Sequence, residues 1–289
     1  MKLARDEFLK VTAIIPVYNH SHLLKKTLLA LSYQSYQPDE LVISDDGSSE
    51  DILSLLQEFL PKFQMKIKYV RQEKNGYRAA RCRNNGARVA TGECFIFIDQ
   101  DVILTPNLTQ KFIKRIKKNR FCVSYAVRLT GQQTEMIDEA MIKSGDYSSL
   151  LTQNQISKLV KQHRKERLYS FLRQLHLRAI GPKFRGGTAV VFKADFLKVN
   201  GYDEKFQGWG NEDDNLGRRL YKAGIFGEFP FYDEFPLHLY HLPFHADRVR
   251  VNKTYSKQQM KIIRKGIYRC QFGLDNPLDD EALMVMNLN

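Results

Sequence analysis

The sequence contains no apolar run approaching the roughly 20 residues that cross a bilayer as a helix. Its start, Met1-Lys2-Leu3-Ala4-Arg5-Asp6-Glu7, is charged and has no apolar core of the kind an export signal carries. Cysteine is sparse: Cys82, Cys94, Cys122 and Cys270 show neither CxxC spacing nor a dense framework, so reduced thiols in a cytoplasmic protein are expected. Three phosphate, dinucleotide and zinc signatures are missing. The chain has no GxxxxGK[ST], no GxGxxG after its first strand-like segment and no HExxH, which argues against P-loop ATPases, dinucleotide oxidoreductases and zinc proteases. Internal repeats and low-complexity segments are absent too.

Acidic residues are outnumbered 45 to 32, for a net charge of +13 over 289 residues, and the excess is not spread evenly. Lys111 to Arg120 holds six basic residues and no acid; Lys158 to Arg185 holds nine basic residues against Glu166 alone. Nucleic-acid binding would add interleaved base-stacking aromatics or a recognisable module, and neither is present, so no nucleic-acid partner is expected. The blocks read either as solvated helix faces or as a surface for an anionic membrane or a lipid-diphosphate acceptor.

Hydrophobic residues at 43% and charged residues at 27% are those of a globular protein with a sizeable core. The first hundred residues alternate strand-like and helix-like segments. Val11 to Ile15 is β-branched and closed by Pro16, followed by a helix from about Leu23 to Leu31. Leu41 to Ser44 is a second strand, and Ser48-Ser49-Glu50-Asp51 opens a helix over Ile52 to Leu60. A third strand at Ile67 to Val70, a helix at Ala79 to Ala90 and an apolar strand at Cys94 to Ile98 follow. This order predicts a parallel sheet wrapped by helices, with ligand at the carboxyl ends of the strands. From about Asp146 to Ile180, Leu159, Val160, Leu168, Phe171, Leu172 and Leu175 recur at helical spacing among basic residues, which predicts an amphipathic basic helix or helix pair. A last basic helix is expected near Lys257 to Arg269, and the acidic tail after Asp275 is expected to be loosely held.

Three constellations carry chemistry. Asp99-Gln100-Asp101 ends the apolar strand; in an extended chain residues two apart project to one side, so the two carboxylates can converge on a divalent cation that bridges a diphosphate. In Gly208-Trp209-Gly210-Asn211-Glu212-Asp213-Asp214 the chain's only tryptophan stands between two glycines. An exposed indole offers a flat face to a sugar ring, and a neighbouring carboxylate can act as general base. The plainer reading is that Asn211 caps a helix over Asn215 to Lys222 and that the acids suit its dipole. His238-Leu239-Tyr240-His241, with His245 beyond, gathers three of the seven histidines, which points to metal or phosphate contact; a histidine ligand favours Mn²⁺ over Mg²⁺.

Ala13-Ile14-Ile15-Pro16-Val17-Tyr18-Asn19, Val42-Ile43-Ser44-Asp45-Asp46-Gly47-Ser48 and Asp99-Gln100-Asp101 resemble the family 2 glycosyltransferases of the GT-A fold. Gly76-Tyr77-Arg78-Ala79-Ala80-Arg81-Cys82-Arg83-Asn84-Asn85-Gly86 is similar to a bacterial polysaccharide branch that includes chondroitin polymerase. Arg185-Gly186-Gly187, Val199-Asn200-Gly201-Tyr202-Asp203-Glu204 and Gly208-Trp209-Gly210-Asn211-Glu212-Asp213 resemble the acceptor module of β4-galactosyltransferases, with Asn211 where that module has a second glycine.

The resemblance implies an α/β GT-A unit, a Rossmann-like, mostly parallel sheet flanked by helices with an acceptor-binding subregion. Residues 1–101 would form the nucleotide-sugar half, 102–252 the acceptor half with the basic insert at about 146–180, and 253–289 a C-terminal extension. It implies nucleotide contacts from Pro16, Tyr18, Asn19, Asp46, Arg78, Arg83 and Asp99, with Asp46 accepting from the uracil ring. Asp101 and His241, with Asp99 near, would hold Mn²⁺ or Mg²⁺. Trp209, Gly210, Glu212 and Asp214 would meet the acceptor. Asp213 would be the base, seconded by Glu212, with Asp214 the alternative one residue on. The implied reaction is inverting transfer of a hexose or N-acetylhexosamine (Gal, GalNAc, GlcNAc or Glc) from a UDP-sugar to a hydroxyl of a glycan or lipid-linked glycan. Its expected setting is bacterial surface polysaccharide or glycoconjugate synthesis, in the cytoplasm or peripheral on the inner face of the cell membrane. A sugar-nucleotide nucleotidyltransferase is the enzymatic rival, but it needs a Gly-rich, cationic phosphate loop where Pro16-Val17-Tyr18-Asn19-His20 stands. A non-catalytic carbohydrate- or membrane-binding protein needs no paired acids at two places.

Overall fold

Strand β1 (Val11–Val17) shows how the sequence builds the core. In an extended chain alternate side chains face opposite ways. Val11, Ala13, Ile15 and Val17 accordingly enter one apolar cluster and Ile14 the other. Strand β4 (Cys94–Ile98) does the same, with Cys94, Ile96 and Ile98 on one face and Phe95 and Phe97 on the other. A strand buried on both faces must be covered by helices on both. A computed structural model describes residues 9–230, 234–242 and 251–289. His245 lies outside the described residues.

Helix α1 (Ser21–Ser32) leads to β2 (Glu40–Asp45), α2 (Ile52–Phe59) to β3 (Lys66–Arg71), and α3 (Ala79–Val89) to β4. Strand β5 (Val102–Ile103), α4 (Leu108–Arg115), β6 (Arg120–Val123), β7 (Val127–Arg128), α5 (Gly131–Met136) and α6 (Glu139–Ser144) precede the long α7 (Gln153–Gln174). The chain continues through β8 (Thr188–Phe192), α8 (Lys193–Lys198), α9 (Glu212–Lys222), β9 (Phe226–Glu228), β10 (Leu237–His238), α10 (Lys253–Arg264) and β11 (Met284–Asn287). The main sheet has the order β11-β3-β2-β1-β4-β8-β6-β9, and only β8 and β11 run against the rest. The small sheet has the order β5-β10-β7. Alternation of strand and helix thus yields the mostly parallel α/β sheet expected of it.

Strand order reverses between β1 and β4, and there the sheet splays. β1 pairs with β4 only from Val11 to Ile14, yet with β2 through Val17. Pro16, which has no N–H to give a ladder, sits within β1 beyond its last β4 partner, so the expectation that Pro16 closes the strand is corrected. Such a switch point is where an open α/β sheet offers its ligand crevice.

One open reading narrows and two further expectations change. The basic insert is one helix, α7, which buries only Leu159, His163 and Glu166. Asn211 stands at the N-cap of α9 at φ 82° and makes no capping bond with its side chain; it takes the left-handed conformation that glycine or asparagine tolerates best. The tail after Asp275 is not loose. β11 pairs antiparallel with β3, and Glu281 reaches the Arg78 guanidinium at 2.6 Å. A partner two hundred residues away leaves no trace in local sequence.

Candidate active site

A cavity of about 550 Å³ opens at the switch point, with Pro16, Tyr18 and Asp46 on one wall and Trp209 among its other lining residues. Asp99, Asp101, His238 and His241 line it as well.

Asp46 follows β2 and is buried. Its Oδ1 accepts from Gln72 Nε2 at 2.5 Å and its Oδ2 from the Arg78 backbone N–H at 3.0 Å. Burial pushes its pKa up, against those hydrogen bonds. Lys74 Nζ lies 3.3 Å from the centre of the Tyr18 ring. Asn19, by contrast, spends its side chain on the backbone: Oδ1 accepts from Ser49 and Glu50 N–H. The Arg78 guanidinium turns away to Glu281 and does not line the cavity. Arg78 still reaches Asp46, through its backbone N–H at 3.0 Å and its Nε at 3.9 Å.

Asp99-Gln100-Asp101 is a turn rather than an extended strand, closed by Val102 N–H to the Asp99 carbonyl at 3.1 Å. The extended-chain premise is therefore corrected, and the two carboxylates have different partners. Gln100 locks the turn to β1: it accepts from Tyr18 N–H at 2.8 Å and donates to the Tyr18 carbonyl at 3.2 Å. Asp99 Oδ1 accepts from Arg83 Nη2 at 2.7 Å. Burial raises the Asp99 pKa, with Arg83 opposing and Asp101 adding to it.

Asp101 Oδ2 lies 2.9 Å from His241 Nε2 and 3.6 Å from His238 Nε2, and its buried Oδ1 has no hydrogen-bond partner among the described residues. His238 Nδ1 lies 2.9 Å from the Leu239 carbonyl and His241 Nδ1 2.9 Å from the Leu242 carbonyl. A carbonyl only accepts, so Nδ1 carries the proton, and Nε2 of a neutral ring presents a lone pair to the carboxylate. Two lone pairs facing a carboxylate are stable only around a proton or a metal. The three ligand atoms lie within 4.8 Å of one another, so the donor set fits a divalent cation. Burial works against ionised Asp101, but the two histidines outweigh it and hold its pKa low. The bond to Asp101 raises that of His241. Sequence reasoning named His241 as the ligand and His238 only as part of a cluster; the two-residue strand β10 that aims His238 has no readable period. His20, whose ring centre lies 5.8 Å from that of His241, was missed, and nothing local signals it.

Trp209 is 39% exposed, between Gly208 at φ 78° and Gly210 at φ 93°. Asn252 Nδ2 donates to the carbonyls of both glycines. Asp213 Oδ1 accepts from Tyr202 OH at 2.9 Å. Glu212 lies 3.8 Å from Arg83 Nη1, with Oε2 buried and without a hydrogen-bond partner among the described residues; burial and then Asp213 push its pKa up to about 7. Asp214 is held by Arg218 at 2.7 Å and Lys183 at 3.1 Å. None of these three acids lines the cavity wall itself. Gly186 and Gly187 explain how β8 enters so close: a Cβ on Gly186 would stand 2.7 Å from Asp213 Oδ1, and one on Gly187 2.6 Å from Asp99 Oδ2.

A splayed switch point, a buried carboxylate and a carboxylate–histidine cluster thus meet in one cavity of an α/β fold. Residues 12–198 match the family described as glycosyl transferase family 2, and residues 166–242 match one described as N-terminal domain of galactosyltransferase. The chain belongs to glycosyltransferase family 2. It is 29% identical over 226 residues to chondroitin synthase of Escherichia coli, covering 75% of this chain and 33% of that protein. It is 30% identical over 236 residues to validoxylamine A glucosyltransferase of Streptomyces hygroscopicus subsp. limoneus, covering 74% and 48%. The chain thus spans a third to a half of the length of these curated relatives. Two solved structures share the fold. S. aureus TarS 1-349 in complex with UDP has a TM-score of 0.58 at 15% identity, over 92% of this chain and 68% of that one. The mannosyltransferase PcManGT from Pyrobaculum calidifontis, in complex with GDP-Man and Mn2+, has a TM-score of 0.57 at 18% identity, over 89% and 64%.

Proposed function

We propose that the chain is an inverting glycosyltransferase that moves a hexose or N-acetylhexosamine from a UDP-sugar to a hydroxyl of a glycan or lipid-linked glycan, in the building of bacterial surface polysaccharide or glycoconjugate. The observation that carries this reading is the shared cavity, in which buried Asp46 and the Asp101–His238–His241 cluster face the same space as the Trp209 indole. The names of two relatives, chondroitin synthase and a glucosyltransferase, support it, as do the complexes of TarS with UDP and with UDP-GlcNAc.

Asp46 accepts the ring N–H of uracil, with Pro16 and Tyr18 beside the base and Asn19 holding their loop. Arg78 serves through its main chain, and Arg83 and Asp99 meet ribose and phosphate. Asp101, His238 and His241 would hold a divalent cation, with two imidazoles favouring Mn²⁺ over Mg²⁺, and such an ion would supply positive charge beside the diphosphate. Trp209 and Gly210 carry the acceptor sugar, and Glu212 accepts from one of its hydroxyls. The acceptor oxygen attacks the anomeric carbon opposite the diphosphate. The carbon–oxygen bond to phosphate breaks, its electron pair leaves with UDP, and the hydroxyl proton passes to Asp213, oriented by Tyr202. One displacement inverts the centre. Asp214, engaged with two cations, is the weaker base candidate. We keep 1–101, 102–252 and 253–289 as donor half, acceptor half and extension, and a cytoplasmic setting on the strength of four buried, unpaired cysteines.

Incubating the protein with Mn²⁺ and each common UDP-sugar tests this through slow donor hydrolysis, which needs no acceptor. Release of UDP from one of them is expected; release from none would favour a binding protein.

A further inference from the structure

Helix α7 is the part of the chain whose exposure the transfer reaction does not explain. Val160, Leu168, Phe171 and Leu175 are 41%, 52%, 56% and 51% exposed, and Leu177 just beyond is 72% exposed. With Arg164, the positions 160, 164, 168, 171 and 175 follow the four-and-three spacing that puts side chains on one helical face. The opposite face is the packed one: Leu159 joins the small-sheet core, and Glu166 accepts from Tyr125 OH at 2.8 Å. Leucine and phenylalanine aligned on the outside of a long helix form an exposed apolar patch, which marks an interaction surface.

The charges around the patch decide what covers it. From Gln153 to Ile180 there are seven Lys and Arg against one acid, and that acid, Glu166, is buried on the inner face. Lys158, Lys161, Arg164, Lys165 and Arg167 are exposed. Arg120, from the other basic block, meets the packed side of α7 rather than its apolar face. Arg120 and Arg173 both lie over the Phe226 ring, at 5.3 and 4.3 Å, and with His176 line a second cavity of about 510 Å³, which also contains Glu228. A second copy of this chain would bring two such positive faces together, against a net charge of +13 per chain. An anionic lipid surface satisfies both features at once, taking the apolar side chains into its interface and the cations onto its headgroups.

We propose that α7 is a membrane-docking helix that lies in the interface of an anionic bilayer, with Leu168, Phe171, Leu175 and Leu177 inserted and the basic residues at headgroup level. The inner face ties the docked helix to the acceptor side: Tyr125 OH, bound to Glu166, also accepts from Arg185, the residue before Gly186, whose α-carbon closely approaches Asp213. Docking therefore presents the acceptor side of the cavity to substrates held at the surface.

Flotation of the full chain with vesicles of phosphatidylglycerol and phosphatidylcholine, beside phosphatidylcholine alone, tests this. Binding to the anionic vesicles only is expected, weakened by salt. The double variant Phe171→Ser/Leu175→Ser should bind about ten- to a hundredfold less tightly at low salt, while keeping UDP-sugar hydrolysis if the wild type has it. Because the native cysteines are buried, a Leu175→Cys protein can carry one environment-sensitive dye, whose emission should shift blue with anionic vesicles. Equal binding to neutral vesicles, a double variant that floats like the wild type, an unshifted dye, or a dimer dissolved by the same double variant would each overturn the proposal. Flotation does not depend on catalysis, so its failure and that of the transferase reading are separate results.

Discussion

Replacing Asp213 by asparagine separates chemistry from binding at this site. The change keeps the shape and still leaves an Oδ1 to accept from Tyr202 OH, now 2.9 Å away, but it removes the proton acceptor. Loss of a positioned general base lowers turnover about 10²–10⁴-fold, or roughly 3–5 kcal/mol of barrier. Asp214→Asn offers the contrast. Asp214 is 29% exposed and bridges Arg218 and Lys183, so losing its charge changes stability by at most about 1 kcal/mol. Both acids also lie in the first turn of α9, where the helix dipole contributes about 0.3–1 kcal/mol each. The assay is transfer rate at saturating donor, with Mn²⁺–UDP affinity and melting temperature as controls. Asp213→Asn is expected to bind donor and melt almost as wild type while transfer collapses; Asp214→Asn is expected to keep most of its rate. An exchange of the two behaviours would move the base by one residue. Full activity in both would reduce the acidic run to a helix start and refute the mechanism.

Other consequences are measurable. Because the Asp101 contact raises the pKa of His241, the metal-free protein holds a proton there at pH values where a free histidine has lost it. That ion pair stabilises the fold fully below the ordinary histidine pKa while Asp101 stays ionised, and fades as pH rises through the raised pKa. Mn²⁺ binding near neutral pH should therefore release protons, seen by calorimetry in buffers of different ionisation enthalpy, and Asp101→Ala should abolish both binding and release. Gly187→Ala would push a methyl to 2.6 Å from Asp99 Oδ2, so activity should fall at least tenfold with modest loss of melting temperature; unchanged kinetics would mean that the loop yields freely. Glu281→Ala strips a partner from the buried Arg78 guanidinium, whose backbone N–H holds Asp46. A stability loss of about 1–3 kcal/mol with weaker UDP binding is expected; an unaltered UDP affinity would show the tail to be structural only.

How far the chain could be read without its fold depends on the range of the cause. Alternating β-branched and helical segments are local signals, so β1 to β4 and α1 to α3 were legible to within a few residues. The tryptophan between glycines was legible because such a loop has few other uses. Side-chain direction was not. Arg78 looked like a phosphate ligand until Glu281 took its guanidinium, and Asn19 like a base contact until its amide oxygen met the backbone before α2.

By itself the sequence determined the class: a parallel α/β sheet whose strand ends carry acids, with a glycine-flanked indole and acidic run in the second half. Periodicity and turn chemistry act over a few residues and leave their mark in the chain. Only the tertiary structure decided that Asp101 faces His238 and His241 from more than a hundred residues away, that Asp99 belongs to Arg83, and that Gly186 and Gly187 are glycines because two carboxylates leave no room for a Cβ. It also decided that the apolar residues of α7 face outward. Spacing places them on one face of a helix, but which face the rest of the molecule covers is set by Leu159, Glu166 and their distant partners.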